Sequence, residues 1–225
     1  MKNTEIIFLI DASGSMANLV GDTIGGFNGF VESQKTIDGK AILTTILFDS
    51  TWRVLHDGID IHEVKPMTTS DYVAGGMTAM LDAIGETIER VQDRHDELGE
   101  EKPEKVIFVI TTDGEENSSR KFNKAQVEKM IKHQTNGHGW KFMFLGANMD
   151  AVKEASSIGI TRDYAVNYCY TAQGTSAVYS TIDTVAKGIR CDCIAEDFNL
   201  SSAYAASVDG IEAKAYDDDS ITALG

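Results

Sequence analysis

The sequence predicts an α/β fold, a doubly wound and mostly parallel sheet with helices on both faces and one antiparallel edge strand. Apolar runs such as residues 5–10 are continuous rather than alternating, which marks strands buried on both faces. Between those runs, apolar residues recur at three- and four-residue spacing, so strands alternate with amphipathic helices. With 225 residues and 42% hydrophobic content, the chain can fill one substantial core and leave a few dozen residues over.

The strand over residues 5–10 ends at Asp11, and Met16, Leu19, Val20, Ile24, Phe27, Phe30 and Val31 set the first helix. Gly21, Gly25, Gly26 and Gly29 weaken that helix and suggest close packing on the sheet. Ala41–Phe48 is the second strand; residues 52–55, Gly58 and the Ile59/Ile61 alternation predict an antiparallel hairpin at the sheet edge. Leu81, Ile84, Ile88 and Val91 set a second helix, which Pro103 separates from a strand over 105–111. Phe122, Ala125, Met130 and Ile131 mark a third helix, residues 141–145 a strand, and Val152, Ala155 and Ile158 a short helix closed by Gly159. Residues 163–168 form the last strand, and Val178, Ile182, Val185 and Ile189 lie on one face of a final helix over 174–190. No fixed-period repeat interrupts this order.

Thirty-five acidic residues against twenty basic ones give a formal charge of −15, a field that repels phosphate backbones and anionic lipid heads. Neither nucleic acid nor a membrane surface is an expected partner. The first ten residues hold one Lys and a five-residue apolar run, too little for a signal-peptide core. No stretch approaches the roughly 20 apolar residues of a membrane span, so a cytoplasmic location is expected. Cys169, Cys191 and Cys193 leave an odd thiol, and Cys191-Asp192-Cys193 is too close-spaced for a CxxC metal knuckle, which fits reduced cysteines. Beyond residue 190 eight acids face only Lys214, amid Ala, Ser and the run Asp217-Asp218-Asp219. Residues 1–190 are therefore expected as the domain, and 191–225 as an acidic Ala/Ser/Asp-rich appendage, partly disordered when alone.

Three separated segments carry the chemistry: Asp11-Ala12-Ser13-Gly14-Ser15, Gly75-Gly76-Met77-Thr78 and Thr111-Thr112-Asp113-Gly114. Each stands in a loop leaving a strand, and in open parallel sheets ligands sit beyond the carboxyl ends of strands. Mg2+ takes about six oxygens in octahedral array and keeps several waters, so hydroxyls with one or two carboxylates suit it better than a dense acidic cage. Asp11, Ser13, Ser15, Thr78 and Asp113 answer that description; oxygen-only donors also admit Mn2+ or Ca2+.

Asp-x-Ser-x-Ser, then Gly-Gly-x-Thr, then Thr-Asp-Gly, in this order and on these elements, resembles the von Willebrand factor A (VWA) domain with its metal-ion-dependent adhesion site (MIDAS), over roughly residues 4–190. The resemblance implies a Rossmann-like VWA fold. It implies that Ser13, Ser15 and Thr78 donate hydroxyl oxygens, that Asp11 and Asp113 act directly or through waters, and that one position stays open. An Asp or Glu of a protein partner would fill that position, which makes the expected role binding rather than catalysis. Some relatives move their last helix on ligand binding, and here the acidic tail would be the lever. Relatives found inside cells often work beside a ring-forming ATPase; this chain has no ATPase motif, so such a partner would be a separate polypeptide.

Two other functions compete. A structural component of a larger assembly would self-associate through the metal and the tail. A metal-assisted hydrolase would need a general-base His or a second carboxylate cluster, and neither stands out. An aspartyl nucleophile is disfavoured because such phosphatases resemble Asp-x-Asp-x-Thr/Val and position 13 is Ser. No Gly-x-Ser-x-Gly elbow, P-loop or Gly-x-Gly-x-x-Gly fingerprint occurs.

Blander readings cover the remaining candidates. Asp11 and Ser13 could cap the following helix and Asp113-Gly114 could form a turn, which leaves Thr78 unexplained. Glu115, Glu116 and Asn117 either rim the site or complement a helix dipole. His133 and His138 read as an exposed turn around Asn136-Gly137, and His56 and His62 as solvent-exposed imidazoles beside the edge hairpin, where Trp52 packs.

Overall fold

The structure, a computed structural model, describes residues 3–195 and 198–210. Six strands form one sheet in the order β3-β2-β1-β4-β5-β6: β1 Thr4–Asp11, β2 Ala41–Phe48, β3 Trp52–Asp60, β4 Lys105–Thr112, β5 Lys141–Gly146 and β6 Ala165–Asn167. All neighbours pair in parallel except β2 and β3, the predicted antiparallel edge. The helices are α1 Val20–Lys35, α2 Met80–Leu98, α3 Lys124–His138, α4 Ala151–Ser157 and α5 Ala172–Arg190. A 3-10 turn over Gly14–Leu19 opens α1. The expected doubly wound α/β architecture is the one observed.

Successive residues of a strand face opposite sides, and β1 divides its apolar run accordingly. Ile6, Phe8 and Ile10 join Phe27 and Phe30 of α1 and Ile182 and Val185 of α5 in one core. Ile7 and Leu9 join Ile84 and Ile88 of α2, Val127 and Ile131 of α3, and Ala155 of α4 in the other. Burial on both faces is why these strands read as unbroken apolar runs.

Several expectations are corrected. Among the glycines of α1, Gly26 makes the close approach, and it approaches a helix rather than the sheet: a Cβ there would stand 2.2 Å from the Tyr179 ring of α5. Gly21, Gly25 and Gly29 have nothing within 4 Å of such a Cβ. Phe122 precedes α3 and lies where a Cβ on Gly85 of α2 would be, while Asn123 and Gln126 close a capping box that starts α3. Ala125 is exposed; the buried face of α3 is Val127, Ile131 and Gln134. Asn136-Gly137 is not a turn, because α3 runs through it and stops at Gly139, whose φ of 69° is left-handed. His133 and His138 are exposed on that helix. His56 is buried rather than exposed, its ring stacked on Phe27 and Nδ1 3.0 Å from Thr45 Oγ1, whereas His62 is exposed.

Residues 200–210 are helical, and Leu200 and Tyr204, inside the segment expected as an appendage, are buried in the core shared by α1 and α5. Asp217-Asp218-Asp219 lies outside the described residues. All three cysteines are free and exposed. Among the described residues no helix is long and apolar enough to cross a membrane.

Candidate metal site

Asp11 is the last residue of β1, and Asp113 directly follows β4. β1 and β4 are neighbours at the point where the strand order reverses, so both acids emerge at the crevice beyond the carboxyl ends of the sheet. Both are buried. Asp11 Oδ1 accepts from the backbone N–H of Ser13 at 2.7 Å, and Oδ2 accepts from Thr112 Oγ1 at 2.6 Å. Asp113 Oδ1 accepts from Ser15 Oγ at 2.6 Å; its Oδ2 is buried and has no hydrogen-bond partner.

Ser13 and Ser15 connect the two acids, with their hydroxyl oxygens 3.1 Å apart. Ser13 holds the N-cap position of the 3-10 turn, yet its side chain makes no capping bond. A simple helix cap therefore does not account for this hydroxyl. Thr78 is buried beside the same loop: a Cβ added to Gly114 would stand 4.0 Å from Thr78 Oγ1.

Burial pushes the carboxyl of Asp11 above its ordinary range; bonds from Thr112 and Ser13 oppose this, and the nearby charge of Asp113 adds to it. Burial likewise pushes Asp113 up, against the bond from Ser15. Neither acid takes part in an ion pair among the described residues. Two buried carboxylates, one oxygen without a donor and two hydroxyls turned toward them form an arrangement that a hard cation would complete.

The surrounding loops are clipped together. Thr78 N–H donates to Asn117 Oδ1 at 2.9 Å, and Asn117 N–H donates to the Thr78 carbonyl at 3.0 Å. Glu116 Oε2 accepts from Leu81 N–H at 2.9 Å, capping α2, while Oε1 holds Ser118 and Ser119. Glu116 thus serves a helix that precedes it in the chain, Asn117 fixes Thr78 although it is itself exposed, and Glu115 is exposed beside them. Tyr72 OH donates to the Asp11 carbonyl, and Tyr170 OH donates to the Ser15 carbonyl.

No protein-family profile matches the chain, and no curated protein sequence matches it. Solved structures do. Proximal thread matrix protein 1 from the mussel byssus superposes with a TM-score of 0.56 at 15% identity, over 83% of this chain and 46% of that one. A von Willebrand factor type A protein from Catenulispora acidiphila gives 0.53 at 17%, over 83% and 43%. The VWA2 paralog of ArnB from Sulfolobus acidocaldarius gives 0.50 at 16%, over 80% and 44%.

This chain has a VWA fold. It spans less than half the length of each of those structures. A further structure of the byssus protein, with a TM-score of 0.56 at 16% identity, has a zinc-occupied MIDAS motif.

Within this VWA fold, hydrogen bonds bring together Asp11, Ser13, Ser15 and Asp113, and packing adds Thr78. Sequence reasoning missed the supports Thr112, Tyr72 and Tyr170, and it set Asn117 near the site without its bond to Thr78. Thr112 was visible inside its motif, but which acid it serves depends on the β1–β4 pairing. Tyr170 is 155 residues from its acceptor, and no local pattern marks such a bond.

Proposed function

We propose that this chain is a divalent-metal-dependent protein-binding module, with Asp11, Ser13, Ser15, Thr78 and Asp113 holding the ion. The observation that carries the reading is the buried Asp113 Oδ2 without a donor, beside a second buried acid and two hydroxyls. The donor set is oxygen only and carries two carboxylates, which favours Mg2+, with Mn2+ or Ca2+ as substitutes. When bound, the cation supplies an electrophilic centre for an Asp or Glu carboxylate of a partner. Thr112 and the Ser13 amide hold Asp11 in place, and the Asn117 clip holds Thr78, so bonds within the protein orient these donors. The zinc-occupied motif of the byssus protein supports the reading by analogy of fold.

Calorimetric titration with Mg2+ and Mn2+, followed by capture from native lysate in Mg2+ and in EDTA, tests the proposal. Wild type should bind one ion and retain a partner only in Mg2+; Thr78→Ala should lose both. A partner retained equally in EDTA would move the function to another surface.

A further inference from the structure

Four large apolar side chains are exposed among the described residues: Val54, Val73, Met77 and Leu98. Val54 lies on the edge strand β3 and Leu98 ends α2, each 37% exposed. Val73 and Met77 are more exposed, at 56% and 52%, and both lie in the loop that delivers Thr78 to the candidate metal site.

That loop is tied down rather than slack. Tyr72 OH and Gly75 N–H donate to the Asp11 and Ala12 carbonyls, and Gly14 N–H donates back to the Gly76 carbonyl at 3.2 Å. Met77 N–H donates to Ser50 Oγ at 2.8 Å, and Thr78 N–H to Asn117. Gly76, at φ 73°, adopts a conformation that a side chain would strain, and a Cβ there would stand 2.8 Å from Ser50 Oγ. Bonds from three other loops thus fix the backbone that holds two apolar side chains more than half exposed to water. A surface apolar group held in one conformation has already lost the entropy that binding would otherwise cost. In the neighbouring loops, the exposed residues Gly14, Ser15, Glu115 and Asn148 are polar or without a side chain, and among the described residues the large exposed apolar side chains of these loops are Val73 and Met77.

We infer that Val73 and Met77 form the second half of the partner-binding surface. The ligand is a protein segment that carries a large apolar residue within one or two positions of the carboxylate that seeks the metal. The inference rests on the metal-dependent reading, because the carboxylate at the ion is what brings the partner's neighbouring residues over this loop.

The probe is a phage-displayed peptide library with one fixed central Asp and random flanks, selected on the full chain in Mg2+ and counter-selected in EDTA. Enrichment of Leu, Ile, Met or Phe within two positions of the Asp is expected. Met77→Ser and Val73→Ser should each weaken the selected peptides about tenfold while leaving the Mg2+ titration unchanged. Selected peptides with polar flanks, no selected peptides, or variants that bind as wild type does would overturn the inference and leave the metal reading standing if Mg2+ still titrates. Peptides that bind equally in EDTA would overturn both.

Discussion

Asp113 leaves one carboxylate oxygen buried without a donor, and its charge adds to the burial that pushes the neighbouring Asp11 carboxyl up. Without a cation, this is a destabilising arrangement that neutralisation should relieve. Asp113→Asn should therefore raise stability by about 1 kcal/mol in EDTA and abolish the stabilisation that millimolar Mg2+ is expected to give the wild type under the proposed function, a reversal readable by thermal denaturation in the two buffers. His56 carries a second residue-scale prediction. Burial lowers its pKa below the ordinary 6.5, against the charge of Asp71. The unfolded chain then binds a proton that the folded chain refuses, so the contribution of His56 is complete above pH 6.5 and is lost as pH falls through the depressed folded value. Urea unfolding of wild type and His56→Gln at pH 7.5 and 5.5 should show a smaller acid loss in the variant; equal losses would contradict the assignment. The metal candidates were legible because three short motifs preserve residue type, order and position after strands. The burial of His56 was not, because it depends on Phe27 and Thr45 arriving from two other elements.

Strands and helices were legible where burial imposes a period. β2 matches its expected bounds, and β1, β4 and β5 extend theirs by one or two residues. β6 is shorter than expected, with three residues, since its flanks lie in a 3-10 turn and a loop. Glu5 shows what the period conceals. It stands at the start of the β1 run and is buried at a site that two consecutive residues of α2 reach. Its Oε1 accepts from Arg94 and from Thr44 Oγ1, and Oε2 lies 2.7 Å from His95 Nε2. Arg94 also pairs with Asp57 of β3, which anchors α2 across the edge of the sheet. Removing one member of a buried pair leaves the other uncompensated, so Glu5→Ala should cost about 3 kcal/mol in chemical denaturation. Asp57→Ala, at the more exposed end of the network, should cost about 1 kcal/mol or less. A Glu5→Ala cost no larger than that of Asp57→Ala would show that α2 is anchored by its apolar face alone. Partners some 90 residues distant are invisible to any local pattern, which is why Glu5 read only as the edge of an apolar run.

At the scale of the molecule, composition marks residue 190 as the point where the chain turns acidic and poor in large apolar residues. Composition counts apolar residues but not where they land. Over 198–210 they are few, yet Leu200 and Tyr204 are buried, Phe198 and Val208 pack against the same core, and Tyr204 OH accepts from Cys169 N–H at 3.2 Å. Ser201 Oγ donates to the Ala165 carbonyl, and Ser207 Oγ meets Thr181 Oγ1 of α5 at 3.0 Å, so the helical stretch touches both the edge strand β6 and the last helix. A three-residue edge strand leaves backbone groups open to unwanted pairing, and covering such an edge is one way proteins protect it. If this stretch is part of the folded body, Leu200→Ala should open a cavity worth about 3 kcal/mol and promote concentration-dependent aggregation. If it is an appendage resting on a finished domain, the same change should cost less than about 0.5 kcal/mol, as surface substitutions do. Leu98→Ala provides the surface reference, since Leu98 is exposed at the end of α2. Urea midpoints for the three proteins, measured over a range of concentrations, separate the alternatives. A Leu200→Ala curve that overlays that of Leu98→Ala would return the boundary to residue 190.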